Sequence, residues 1–266
     1  MIIDSHQHFW KYDSVRDSWI DDTMKIIQRD FLPADLEPIL KTNNVDGCIA
    51  VQADQSEQET EFLLDLAKNN KFIKGVVGWV NLSDTGVENR LKYFSQNTLF
   101  KGVRHILQAE KDDFMLDQTF LNGINKLAPL NLTYDLLIYP HQLKNCETLV
   151  SKFPKPSIKF GEIETWKTAI KTLAALPNVY CKLSGLTTEA DWHNWKTEDF
   201  IPYIDVIFEE FGAHRIMYGS DWPVCLLSGN YSKTKEIVTT YIKKLSSQEQ
   251  QQVMGLNAIE FYGITI

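Results

Sequence analysis

The chain has 266 residues, of which 44% are hydrophobic and 23% charged, an ordinary composition with ample length for a sizeable core. Asp and Glu number 35 against 27 Lys and Arg, a net charge of −8. That argues against nucleic acid or an anionic membrane as the main partner, while leaving room for a small anionic substrate in a local basic pocket.

No apolar stretch approaches the length of a membrane span. Met1, Ile2 and Ile3 run straight into Asp4 and His6, so no signal peptide is expected. The four cysteines, at 48, 146, 181 and 225, form no C-x-x-C pair. They read as reduced, mostly buried thiols of a cytoplasmic protein.

In chain order, residues 1–5 open as a strand. Pro33 followed by Asp35, Leu36, Ile39 and Leu40 begins a proline-started helix. A strand at 46–52 leads to Ser56-x-x-Glu59 ahead of Phe62, Leu63 and Leu66, a capping-box pattern that opens a second helix. Strands at 73–80, 101–107 and 133–139 alternate with helical stretches near 86–96 and 117–127. Two helical patterns follow, near 142–152 and 164–175. A strand at 179–184, a helix at 199–211, a strand at 214–219 and helices at 231–245 and 247–262 complete the chain.

Most of these strands are nearly continuous apolar runs, as expected for a parallel sheet covered by helices on both faces. Repeated β-α units at this length fit an eightfold barrel or an open doubly wound sheet. No G-x-G-x-x-G loop supports the open sheet, so a single (β/α)8 barrel domain over residues 1–266 is the expected fold.

The strand count falls short at one place. Strand starts at 46, 73, 101 and 133 are followed by a gap of 46 residues before 179. Within that gap only Ser157–Phe160 resembles a strand, and it follows two prolines that cannot donate to a ladder.

Two strand ends carry the chemistry. In Asp4-Ser-His6-Gln-His8 the histidines are two residues apart and point to one side of the first strand, at the end where a barrel builds its site. Tyr218-Gly219-Ser220-Asp221-Trp222-Pro223 ends the last strand, which neighbours the first in a closed barrel. Asp221 suits a general base or a metal ligand, although Ser-Asp-x-Pro alone also makes a good turn.

Arg104 and His105 lie inside a strand, where a charge is costly without a partner. Arg104, for which a structural salt bridge is the alternative reading, and Gln52 are candidates to grip a substrate. Trp10 and Trp222 are candidate walls, and Tyr139 a candidate hydrogen-bond donor. Asp135 and Lys182, in two other apolar strands, are expected to pair in the interior. His141, His193 and His214 form no constellation. The loop over 9–30 is a candidate lid or homo-oligomer contact.

Asp4-Ser-His-Gln-His-Phe-Trp10 and Gly219-Ser-Asp-Trp-Pro223 resemble the amidohydrolase superfamily. Together with Gly102-Val-Arg-His105, Thr133-Tyr-Asp-Leu-Leu-Ile-Tyr139 and Cys181-Lys-Leu-Ser-Gly-Leu186, they resemble its family-2 branch of sugar-lactone hydrolases, the L-fuconolactonase and L-rhamnonolactonase type. The resemblance implies a distorted barrel and hydrolysis of an aldonolactone to its open acid, with His6, His8 and Asp221 in the site. It also implies one divalent ion, zinc first among the candidates, on those three residues, or a metal-free reaction in which the histidines themselves stabilise the oxyanion. A metal-dependent decarboxylase and a non-catalytic sugar-acid binder are the alternatives.

The family's sixth strand has the form apolar-Asp-His-Leu-x-Lys-Pro. Here Lys152-Phe-Pro154 passes directly to Lys155-Pro156, so that histidine is absent. Three readings stay open. Ser157–Phe160 fills the slot as a short strand, the barrel stays open or closes on seven strands, or residues of the molecule are missing from this sequence between Pro154 and Lys155.

Overall fold

The computed structural model describes residues 1–150, 156–158 and 163–265. Eight parallel strands run in sequential order: β1 (Ile3–Gln7), β2 (Gly47–Val51), β3 (Ile73–Gly78), β4 (Phe100–Ile106), β5 (Thr133–Leu137), β6 (Pro156–Ile158), β7 (Tyr180–Leu183) and β8 (Ile216–Tyr218). Just beyond the strand ends, β8 meets β1. The Asp221 amide donates to the His6 carbonyl at 2.8 Å, and the His8 amide donates to the Trp222 carbonyl at 2.7 Å. The sheet therefore closes into a barrel at the end where the motifs lie.

Helices α1 (Pro33–Thr42), α2 (Glu57–Asn69), α3 (Val87–Ser95), α4 (Gln118–Ile124), α5 (Leu143–Val150), α6 (Ile163–Ala174), α7 (Thr197–Phe211) and α8 (Tyr231–Tyr241) each follow a strand. Their apolar faces meet the outward residues of the sheet in one large core that includes Leu36, Leu63, Phe94, Phe120, Trp166 and Ile204. The last helical stretch is α9 (Ser247–Gln251) and α10 (Asn257–Phe261) joined by a π turn (Gln252–Leu256). Phe261, Tyr262 and Ile264 pack against the lumen residues Ile3, Ile49, Val51, Val77 and Met217 and form the floor of the barrel. No described helix is long and apolar enough to cross a membrane. All four cysteines are free and buried.

The short sixth strand answers the strand count. Tyr134 and Asp135 of β5 pair with Pro156 and Ser157, while Ser157 and Ile158 pair with Tyr180 and Cys181 of β7. Pro156 occupies the first strand position, where a missing N–H is tolerated. The expected element, Ser157–Phe160, thus starts one residue earlier, and the strand is truncated rather than missing. Lys159, Phe160 and the Pro154–Lys155 junction lie outside the described residues. The pairing replaces the open and seven-stranded barrels, because three residues suffice to bridge β5 to β7.

The capping box at Ser56 forms only by half. Ser56 Oγ accepts from the Glu59 amide at 3.2 Å, but the Glu59 carboxylate turns to Ala53 and Asp54 instead of the Ser56 amide.

Candidate active site

The barrel lumen needs an odd-numbered residue of β1 at its floor, Ile3, and even-numbered ones at its mouth, His6 and His8. Strict alternation forbids that combination. The irregular register between Asp4 and Gln7 in the β1–β2 pairing inserts the required extra residue. Above it, His6 Nε2 and His8 Nε2 lie 3.6 and 3.4 Å from Asp221 Oδ1, and all three side chains are buried.

Each ring is fixed from behind. His8 Nδ1 lies 2.7 Å from the Val51 carbonyl, which can only accept, so His8 carries its proton on Nδ1 and turns the Nε2 lone pair toward Asp221. His6 Nδ1 pairs with Ser184 Oγ at 2.8 Å. Burial pushes the His8 pKa down, against the pull of Asp221, which favours the neutral ring.

Asp221 has a positive φ of 58°, in the left-handed region that non-glycine residues seldom occupy. Thr188 Oγ1 donates to its Oδ2 at 3.3 Å. The preceding residue is anchored harder. Asp4 accepts from the Ser220 amide at 2.9 Å and the Ser220 hydroxyl at 2.6 Å. It also accepts from Tyr231 at 2.9 Å and from the His6 amide at 3.1 Å. One buried carboxylate therefore ties together the strand that carries the histidines and the loop that carries Asp221. Burial raises its pKa to about 6 despite those donors.

Arg104 enters from β4. Alternation sends it into the lumen and sends His105 outward, where the imidazole stacks on Phe114 and lies 3.0 Å from Glu110. Arg104 Nη2 donates to the Gln52 carbonyl and, at 3.0 Å, to Gln52 Oε1. Gln52 Nε2 in turn donates to the Arg104 carbonyl at 3.3 Å. Arg104 Nη1 reaches His6 Nε2 at 3.4 Å, and its buried Nε has no partner among the described residues. A buried donor in that state is a place for a ligand acceptor. Asp135 and Lys182 pair in the lumen as the sequence predicts, with the Tyr262 hydroxyl donating to the same carboxylate.

The remaining expected residues are spread around this centre. Trp222 is buried edge-on between Phe9 and Phe31. Trp10 donates to the Arg29 carbonyl and borders a cleft of about 160 Å³ with Lys11, Asp54, Glu59 and Phe62. Tyr139 is 44% exposed at the end of β5, stacked on His141. The 9–30 loop is pinned at its base by the Trp10–Phe31 bridge. His141, His193 and His214 are exposed. None of them supplies the third histidine of the family pattern.

Sequence reasoning missed Ser184, Thr188, Ser220 and Tyr231. Ser184 and Ser220 lie inside the quoted motifs and were within reach. Thr188 and Tyr231 are ordinary residue types in a loop and a helix, with no signal of their own.

Three donors, two imidazole nitrogens and a carboxylate oxygen, lie within 4.8 Å of one another and could hold a divalent ion. The His8 Nε2 lone pair and Asp221 Oδ1 face each other, and such an edge calls for a cation or a proton between them. The backing of each ring at Nδ1 is also the arrangement that orients histidine ligands.

A family model described as amidohydrolase matches residues 3–264. An L-fucono-1,5-lactonase of Burkholderia multivorans is 36% identical, with 98% of this chain and 96% of that protein covered. An L-rhamnono-gamma-lactonase of Scheffersomyces stipitis is 22% identical over 69% and 66% of the two chains. A solved amidohydrolase from Burkholderia multivorans, with bound zinc, superposes with a TM-score of 0.96 at 34% identity over 100% of both chains.

Proposed function

The chain belongs to the amidohydrolase family, and we propose that it is a sugar-lactone hydrolase that opens an aldonolactone to its free acid. L-Fucono-1,5-lactone is the first substrate to try, and one barrel domain over 1–266 houses the reaction. The observation that carries the reading is the meeting of Asp221, two imidazole nitrogens and the buried Arg104 at one barrel mouth, in a chain aligned end to end with a lactonase.

In this proposal Asp221 takes a proton from water as the oxygen attacks the lactone carbonyl. Arg104, braced by Gln52, faces the negative charge that develops on the carbonyl oxygen, and its unpartnered Nε is the spare donor. Collapse of the tetrahedral species breaks the ring C–O bond, and Asp221 returns its proton to the leaving alkoxide. The products are one hydroxyl and one carboxylic acid, which ionises to the carboxylate and releases its proton to solvent. His6 and His8 hold the water and Asp221 in register. Tyr139 meets the sugar at the rim, while Trp10 and Trp222 back the walls.

The donor set fits a divalent ion on His6, His8 and Asp221, with zinc the first candidate from the related zinc-bound structure. Bound there, such an ion would act as a Lewis acid on the lactone carbonyl.

The test is proton release from a panel of aldonolactones, with and without chelator, against Asp221→Asn. The expected outcome is wild-type hydrolysis, with a loss of about 10²–10⁴-fold in the variant at unchanged melting temperature. Turnover by the variant within tenfold of wild type would remove Asp221 from the mechanism. Absence of release by the wild type would refute the function.

A further inference from the structure

We infer that Glu59 is a positioning residue of the reaction, acting through the β2–α2 loop on Arg104. The inference rests on the lactonase reading above. It starts from a hydrogen-bond pattern that helix capping does not explain. Glu59 is the third residue of α2, after the cap Ser56, and its ordinary partner there is the Ser56 backbone amide. Instead one carboxylate oxygen accepts from the Ala53 amide at 2.8 Å and the other from the Asp54 amide.

Those two amides directly follow Gln52. The residue so fixed clamps the Arg104 guanidinium twice, by carbonyl and by side-chain oxygen, and its side-chain amide donates back to the Arg104 carbonyl. The chain of contacts runs from Glu59 to the loop, to Gln52, to Arg104 and to the edge of His6. The next residue works the same way on the neighbouring strand. Thr60 Oγ1 exchanges 2.8 Å hydrogen bonds with the Trp79 amide and carbonyl just past β3. Gly78 has no room for a Cβ against that threonine, with Thr60 Cγ2 at 2.5 Å. The first turn of α2 thus grips two strand ends, and only the Glu59 grip leads to the site.

An amide cannot replace this carboxyl group, whose two oxygens both accept. Gln has one acceptor oxygen for two converging N–H groups, and its NH₂ would oppose one of them. The groups with charge near Glu59 are Asp54, Arg104 and Arg16, and Lys11 shares its cleft.

The experiment measures kcat, KM and melting temperature in the full chain for Glu59→Gln, Glu59→Asp and Ser56→Ala, and repeats Glu59→Gln in an Arg104→Lys background. Glu59→Gln is expected to lower kcat at least tenfold with KM within threefold, since Arg104 acts on charge that develops after binding. Ser56→Ala, which removes only the cap, is expected to lower the melting temperature and leave kcat within twofold. In the Arg104→Lys background, Glu59→Gln is expected to cost less than threefold.

An equal loss in both backgrounds overturns the inference, and so does a kcat loss in Ser56→Ala that matches Glu59→Gln. If Glu59→Gln does not fold, Glu59→Asp carries the test, because its shorter arm reaches one amide only. A wild type without lactonase activity refutes the underlying function. An active wild type with an unaffected Glu59→Gln refutes the positioning role alone.

Discussion

Replacing Lys182 by Met tests the electrostatics of the lumen directly. Lys182 Nζ donates to Asp135 Oδ2, and both side chains are almost wholly buried. The Tyr262 hydroxyl adds contacts of 3.1 and 3.0 Å to the two carboxylate oxygens. Burial pushes the Lys182 pKa down, and Asp135 opposes that shift.

Removing one member of a buried pair leaves an uncompensated charge, at a cost of about 3–5 kcal/mol. Unfolding entropy near 2.1 cal/mol/K per residue gives about 0.56 kcal/mol/K for this chain, so the melting temperature should fall by about 5–9 °C. Removing both members, in Asp135→Leu with Lys182→Met, should recover at least half of that. The Tyr262 hydroxyl then loses its acceptor, which keeps the recovery incomplete. Calorimetry and denaturant titration of wild type, single and double variants provide the comparison. A Lys182→Met protein within about 1 kcal/mol of wild type, or a double variant no better than the single, would show that the pair is not a mutually dependent ion pair.

Gly219→Ala should damage stability and activity together. The added Cβ would stand 2.7 Å from the His6 Cβ and 3.0 Å from the Ser184 Cβ, a crowding expected to cost about 1–3 kcal/mol. Melting temperature and kcat report both effects, and a variant normal in either would mean that β8 and β1 can separate freely. Glu59 also leaves a signature in the pH dependence of stability. Burial raises its pKa from 4.5 to about 7, so between those values the unfolded chain releases a proton that the folded one keeps. Its contribution to stability is therefore full below pH 4.5 and is lost as pH rises through 7. Glu59→Gln should remove about 2 kcal/mol of that decline, allowing for the partly exposed position. Parallel stability–pH curves for the two proteins would contradict the shift.

The barrel and the residues gathered at its mouth were legible because their signals are local. Apolar runs of strand length, helix starts at Pro33 and Ser56, and His-x-His at a strand end all depend on neighbours within a few residues. The pairing of Asp135 with Lys182 was also within reach, since each is a lone charge in an apolar strand and each needs the other.

What the sequence left open depends on distance in space. A three-residue β6 beginning at a proline carries no periodicity. It exists because β5 and β7 stand on either side with unpaired backbone groups. The irregular register in β1 is invisible in Ile3–Gln7, and only closure on β2 and β8 shows that Ile3 and His6 share the lumen. Ser56-x-x-Glu59 reads as a capping box, yet the fold places the Ala53 and Asp54 amides nearer to that carboxylate. The sequence by itself determined which residues prefer strand, helix and polar interior. Tertiary structure decided which partners they meet, because desolvation makes each buried polar group depend on whatever the closed barrel brings within hydrogen-bond reach.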